Sequence, residues 1–154
     1  MNVKHLKPFV LLFTLASCTT AVKEPTSKPA IIGTWKLISG TVIKPGDTVV
    51  TDYTKGKSLI KIINDTHFAF LLHDLNGGKD STNVFASGGG KYTLADDKYT
   101  EHLEYCTDRQ WEGNDFTFTV TIKGDTLIQE GREDIEAAGI SQLNIEKYVR
   151  ASGL

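Results

Sequence analysis

The chain has 154 residues, a formal charge of −2, 40% hydrophobic residues and 23% charged residues. That length suits one globular domain rather than two, and the near-balanced charge gives no electrostatic fit to nucleic acid. The hydrophobic content excludes a wholly disordered chain, and two cysteines are too few for a disulfide-stapled scaffold or a cysteine zinc site.

The chain opens with Lys4 and Lys7 and no acid, continues through the apolar run Phe9-Val10-Leu11-Leu12-Phe13, and reaches Leu15-Ala16-Ser17-Cys18. A basic start, a short apolar stretch and small residues before a cut describe a secretory signal over residues 1–17. The run is far shorter than the ~20 residues a membrane-spanning helix needs. The tetrapeptide ending at Cys18 resembles the lipobox of bacterial lipoproteins. The resemblance implies diacylglyceryl transfer to the Cys18 thiol, cleavage before it and N-acylation, giving a palmitate-type lipid anchor in the membrane; several acyl chains hold firmly where one is reversible. The other reading is an ordinary signal peptide with a chance cysteine. Thr19 follows the cysteine where an Asp would direct retention, so the same resemblance implies the outer membrane of the bacterial cell envelope. Residues 18–30 contain Pro25 and Pro29 and no apolar period, which reads as a lipidated N-terminus and flexible tether before a folded domain at 31–154. Lipidation of Cys18 leaves Cys106 as a lone thiol, read as a half-buried structural cysteine.

From Ile31 onward the dominant period is two. Thr34–Ile43 reads as a first strand with Trp35 and Leu37 on one face. Ser58–Ile63 and His67–Asp74 form a hairpin through Asn64-Asp65-Thr66. Lys91–Tyr105 forms another, turning at Asp96-Asp97, which pairs Leu94 with Tyr99 and Tyr92 with Glu101. Opposed residues share a face, so Tyr92, Leu94, Tyr99, Glu101, Leu103 and Tyr105 are expected inside, with Thr93, Thr100, His102 and Glu104 outside. Asp115–Glu130 turns at Gly124-Asp125, placing Ile122 opposite Leu127, Val120 opposite Gln129 and Phe118 opposite Gly131. Gln129 then lies on the apolar face. Asn144–Arg150 reads as a last strand with Glu146, Tyr148 and Arg150 on one face. Pro45–Lys57 and Asn76–Gly90 read as long loops, and Glu133–Gln142 as a short helix or irregular crossing. About eight antiparallel strands joined by tight turns usually close, because closure removes both exposed edges. The expected fold is all-β, an up-and-down barrel; an open sandwich is the rival.

Gly33-Thr34-Trp35 resembles the Gly-x-Trp motif of lipocalins. Lys61-Ile62-Ile63, Thr66-His67-Phe68, Gly90-x-Tyr92, Tyr99-Thr100-Glu101, Gly124-Asp125-Thr126-Leu127 and Glu146-x-Tyr148-x-Arg150 follow in order. Together they resemble the lipocalin-like, calycin-type domains of small bacterial secreted proteins and lipoproteins, over residues 31–151. The resemblance implies a barrel with a cavity. It also implies that Arg150 packs across Trp35 and closes one end, a cation–π contact worth roughly 0.5–2 kcal/mol.

Tyr92, Glu101, Tyr105, Gln129 and Glu146 converge on the expected interior, with Arg150 at one end. One reading is a self-satisfied network pairing Arg150 with Glu146 and Tyr92 with Glu101, since buried charge is costly unless paired. The other is a pocket that fixes the polar head of an apolar ligand. The candidate ligand-binding residues are Tyr92, Tyr99, Glu101, Tyr105, Phe118, Gln129 and Tyr148. No catalytic residue stands out: there is no Gly-x-Ser-x-Gly, no credible triad and no phosphate-binding loop. No metal is expected, because His67 and His73 lie ~20 Å apart along one strand and cannot share an ion; no cofactor is expected either, with His67 read as a turn cap or solvated side chain in preference to an axial haem ligand. The expected function is a lipid-anchored, monomeric envelope protein that binds a small apolar or amphipathic ligand. A ligand-free module engaging an envelope partner through its loops is the alternative. An isomerase or hydrolase using Glu101 with Tyr92 or Glu146 is the third.

Overall fold

Nine strands follow one another in the computed structural model, which describes residues 30–79, 81 and 83–151. The expected signal at 1–17, Cys18 and all of the expected tether except Ala30 lie outside the described residues. The strands are β1 (Gly33–Lys44), β2 (Asp47–Asp52), β3 (Lys57–Ile63), β4 (His67–Asp74), β5 (Phe85–Ala95), β6 (Lys98–Cys106), β7 (Asp115–Lys123), β8 (Thr126–Ile135) and β9 (Ile140–Arg150). Every pairing is antiparallel, and β9 returns to β1 from Trp35 opposite Arg150 to Ile43 opposite Leu143. One edge of β1 takes β9; the other takes β3 along Gly33–Lys36 and β2 along Ser39–Lys44. Eight strands therefore surround the interior, with β2 as an extra strand end to end with β3. The barrel is closed and the open sandwich is excluded.

The hairpin registers follow the sequence reading. Tyr92 opposes Glu101, Val120 opposes Gln129 and Phe118 opposes Gly131. Asp96 holds a φ of 55°, the left-handed geometry that a two-residue hairpin turn requires. Three segments differ. The Pro45–Lys57 loop contains β2, whose Val49 and Val50 are both exposed. The Asn76–Gly90 loop ends early, because β5 begins at Phe85 and Gly88, Gly89 and Gly90 lie within it. Glycine has poor strand propensity, so a run of three reads as loop until its neighbours are known. Glu133–Gln142 is neither helix nor crossing. β8 continues to Ile135, a 3₁₀ turn spans Glu136–Ala138, and β9 starts at Ile140.

A bulge between β5 and β6 corrects one face. Gly90 opposes Leu103 but Gly89 opposes Tyr105, so Glu104 is the extra residue. A Cβ at Gly90 would collide with the His102 carbonyl oxygen, which is why glycine occupies the bulge. Beyond it the alternation reverses. Tyr105, expected inside, is 68% exposed, and Cys106 turns inward instead.

One end of the barrel is sealed. Trp35 and Ile31 are fully buried, and the Trp35 indole N–H donates to the Ile31 carbonyl at 2.7 Å. Arg150 lies over the Trp35 ring, 4.1 Å from its centroid. Its guanidinium donates to the carbonyls of Ile32 (3.0 Å) and Ala30 (2.8 Å), tying the chain entering β1 to the end of β9. Gly33, at φ 145°, leaves room for that guanidinium, since a side chain there would strike Arg150 Nη1. Arg150 does not pair with Glu146; its nearest carboxylate is Asp125, at 3.9 Å.

Candidate ligand cavity

The site begins with period two on β3. Leu59, Lys61 and Ile63 all point inward and are buried, so an ammonium lies inside the barrel at 3% exposure. Lys61 donates to Glu101 Oε1 at 2.7 Å and to Gln129 Oε1 at 3.1 Å, and its Nζ lies 3.8 Å from Glu146 Oε2. The Tyr148 hydroxyl donates to the same Glu146 oxygen at 2.7 Å. Gln129 on β8 faces Glu146 on β9 directly across the ladder. One step further along, Glu133 accepts from the amides of Gln142 (2.7 Å) and Asn144 (2.9 Å). Two aromatic rings flank the ammonium, with the centroid of Phe68 at 5.8 Å and that of Tyr148 at 5.4 Å.

Protonation follows from burial and neighbours. Burial pushes the Lys61 pKa down, but Glu101 and Glu146 outweigh it and hold the pKa above the usual lysine value. Lys61 is therefore charged at neutral pH. Burial raises the Glu101 carboxyl, and the ammonium only partly opposes that. Burial likewise raises Glu133 against its two amide donors. Tyr148 is raised by burial and by Glu146, which keeps its proton available to donate. Tyr99 is fully buried, with its hydroxyl beside the Glu101 carboxyl. Burial raises its pKa first, and Glu101 is the leading charge acting on it.

Beside this network is a cavity of about 290 Å³. Its walls are Leu59, Phe70, Leu103, Trp111, Phe116 and Phe118; its polar lining is Lys61, Glu101, Gln129, Glu133, Asn144, Glu146 and Tyr148. The exposed residues Thr107 and Asp108 bring it to the surface. Asp108 caps the short 3₁₀ turn Arg109–Trp111, which sets the Trp111 ring against Phe116, centroids 5.6 Å apart. Cys106 also lines the cavity. Burial raises its pKa, so the thiol stays protonated and acts as part of the wall.

Of the sequence-selected residues, Glu101, Phe118, Gln129 and Tyr148 line the cavity. Tyr99 is buried in the barrel core with its ring against Tyr92, centroids 5.3 Å apart. Tyr92 does not pair with Glu101; its hydroxyl donates to the Asn64 carbonyl at 2.8 Å. Tyr105 is on the outer surface. Trp35 and Arg150 form the sealed end. Lys61, Glu133, Asn144 and Trp111 were missed. For Lys61 the signal was present: it sits between Leu59 and Ile63 at strand spacing, which puts all three on one face. For Glu133 the presumed helix or crossing concealed the strand.

Among the described residues, no group of three His, Cys, Asp or Glu side chains has the arrangement of a metal site. His67 is exposed with Nδ1 2.7 Å from Thr66 Oγ1, and His102 pairs with Asp115 at 2.8 Å on the outside. Neither reaches the cavity. No family model matches the chain, and neither does any curated protein.

Proposed function

We propose that the protein is a lipid-anchored bacterial envelope protein, held by Cys18, whose lipocalin-like barrel binds a small amphipathic molecule. The observation that carries the binding reading is the cavity of about 290 Å³, with aromatic and aliphatic walls over a hydrogen-bonded polar network. Apolar walls with a few convergent polar groups are the usual composition of a ligand site, and the volume is near the low end of such sites, ~300–1,000 Å³. The resemblance of Gly33-Thr34-Trp35 and Glu146-x-Tyr148-x-Arg150 to lipocalin-like motifs supports the same reading. The anchor and the outer-membrane location rest on Leu15-Ala16-Ser17-Cys18 and Thr19.

Native mass spectrometry of the protein from a bacterial host tests the binding reading. A discrete additional mass that dissociates on denaturation is expected. Its repeated absence after purification from several bacterial hosts counts against ligand binding. Labelling of cells with radioactive palmitate tests the anchor. Label is expected on the native chain and absent from Cys18→Ser; equal labelling of both overturns lipidation at that residue.

A further inference from the structure

We propose that the cavity selects an amphiphile with a protonated amine head over one with a carboxylate head. This rests on the ligand-binding reading above and names its chemical class.

Among the described residues, Lys61 is the only basic side chain lining the cavity, against Glu101, Glu133 and Glu146 inside and Asp108 at the rim. The Lys61 ammonium is already occupied by Glu101 and Gln129, with Glu146 beside it. An incoming carboxylate would therefore meet no free cation and would add negative charge to an acidic enclosure. Like charges in a poorly hydrated site repel far more strongly than in water.

An acceptor, by contrast, remains. Among the described residues no hydrogen bond reaches Glu146 Oε1, and its side chain lines the cavity. An ammonium carries three donors and no acceptor, which matches a surface rich in carboxylate oxygens. The apolar body of the ligand would lie along Phe70, Leu103, Trp111 and Phe116. Protonation of Glu101 or Glu133, which burial favours, lowers the negative charge without creating a cation for a carboxylate.

Isothermal titration of the purified full chain at pH 7 with octylamine, octanol and octanoate tests the proposal, because the apolar body is constant. Octylamine is expected to bind about tenfold or more tightly than octanol, as charge-assisted hydrogen bonds exceed neutral ones, with octanoate weakest. Octanoate binding as well as or better than octylamine overturns the proposal. Equal binding of all three keeps the cavity as a ligand site and removes its charge preference. Binding of none removes both. In Glu146→Gln, with circular dichroism as the control for folding, the ratio of amine to alcohol affinity is expected to fall by about tenfold. An unchanged ratio in a folded variant also overturns the assignment, and the native-chain series decides alone if the variant does not fold.

Discussion

Arg150 at the sealed end and Lys61 in the interior are both cations held inside one barrel, but they are held by different groups. Arg150 rests on an indole ring and on two backbone carbonyls, none of which titrates. Lys61 is held by two carboxylates and an amide, drawn from β6, β8 and β9. The first arrangement is fixed once the strands are paired. The second depends on the protonation of its carboxylates. The same kind of charge thus serves as a fastener at one end and as part of a responsive surface in the middle. What separates them is whether the partners titrate.

Removing the interior cation should have the largest effect. Lys61→Met is expected to destabilise the fold by about 3–5 kcal/mol, because it leaves buried carboxylates uncompensated. Urea denaturation measures this. Adding Glu101→Gln should recover part of the loss, giving a double-mutant coupling energy well away from zero. Additive effects would show that the pair is not coupled. At the sealed end, Arg150→Met should cost about 1–3 kcal/mol, through loss of a cation–π contact and of the hydrogen bonds to two carbonyls. The loss at Arg150 should be nearly independent of pH between 5 and 9.

The interior should respond to pH where the sealed end does not. The Glu101 pKa is raised above 4.5 in the fold, so the folded state holds its proton more tightly than the unfolded chain. Stability from this group is therefore greatest below 4.5 and falls as pH rises through the raised value. Asp74 and Asp134 act with the opposite sign and in a lower window. Their pKa values are lowered from 3.8, mainly by the Gly78 backbone N–H and by the Ser141 hydroxyl respectively, so their contribution is lost only on acidification below that value. Glu101→Gln should flatten the slope of stability against pH above 4.5 and leave the acid limb in place. An unchanged slope would mean that Glu101 titrates as it does in the unfolded chain. The smallest effect is expected at Tyr105. Tyr105→Ser should change stability by less than about 0.5 kcal/mol, as for other surface positions. A larger loss would return Tyr105 to the interior.

Much of the barrel was legible in local sequence. Alternation in Phe116–Ile122 and the Gly124-Asp125 turn were enough to set β7 against β8 in the correct register. The same logic placed Glu101 and Gln129 inside, and both are buried. It failed at Tyr105 because one bulge residue reverses every later side chain on the strand. The glycines that permit that bulge carry little strand propensity, so the segment resembled a loop. Lys61 escaped notice for a different reason. Lysine is almost never fully buried unless paired, and its partners lie 40 and 68 residues further along the chain.

Local sequence fixes where the strands turn and which residues face each other within a hairpin. These are properties of side-chain alternation and turn geometry, whereas the packing of Arg150 on Trp35 was implied only by the resemblance to lipocalin-like motifs. Long-range pairing sets the register in which β9 closes on β1, makes Glu104 interrupt the alternation, and brings carboxylates from separate strands to one lysine. Those outcomes depend on pairings between distant segments, and the preference of a single strand leaves such pairings undetermined. The charge balance of the interior belongs to this second group, because it exists only once the ring of strands has closed.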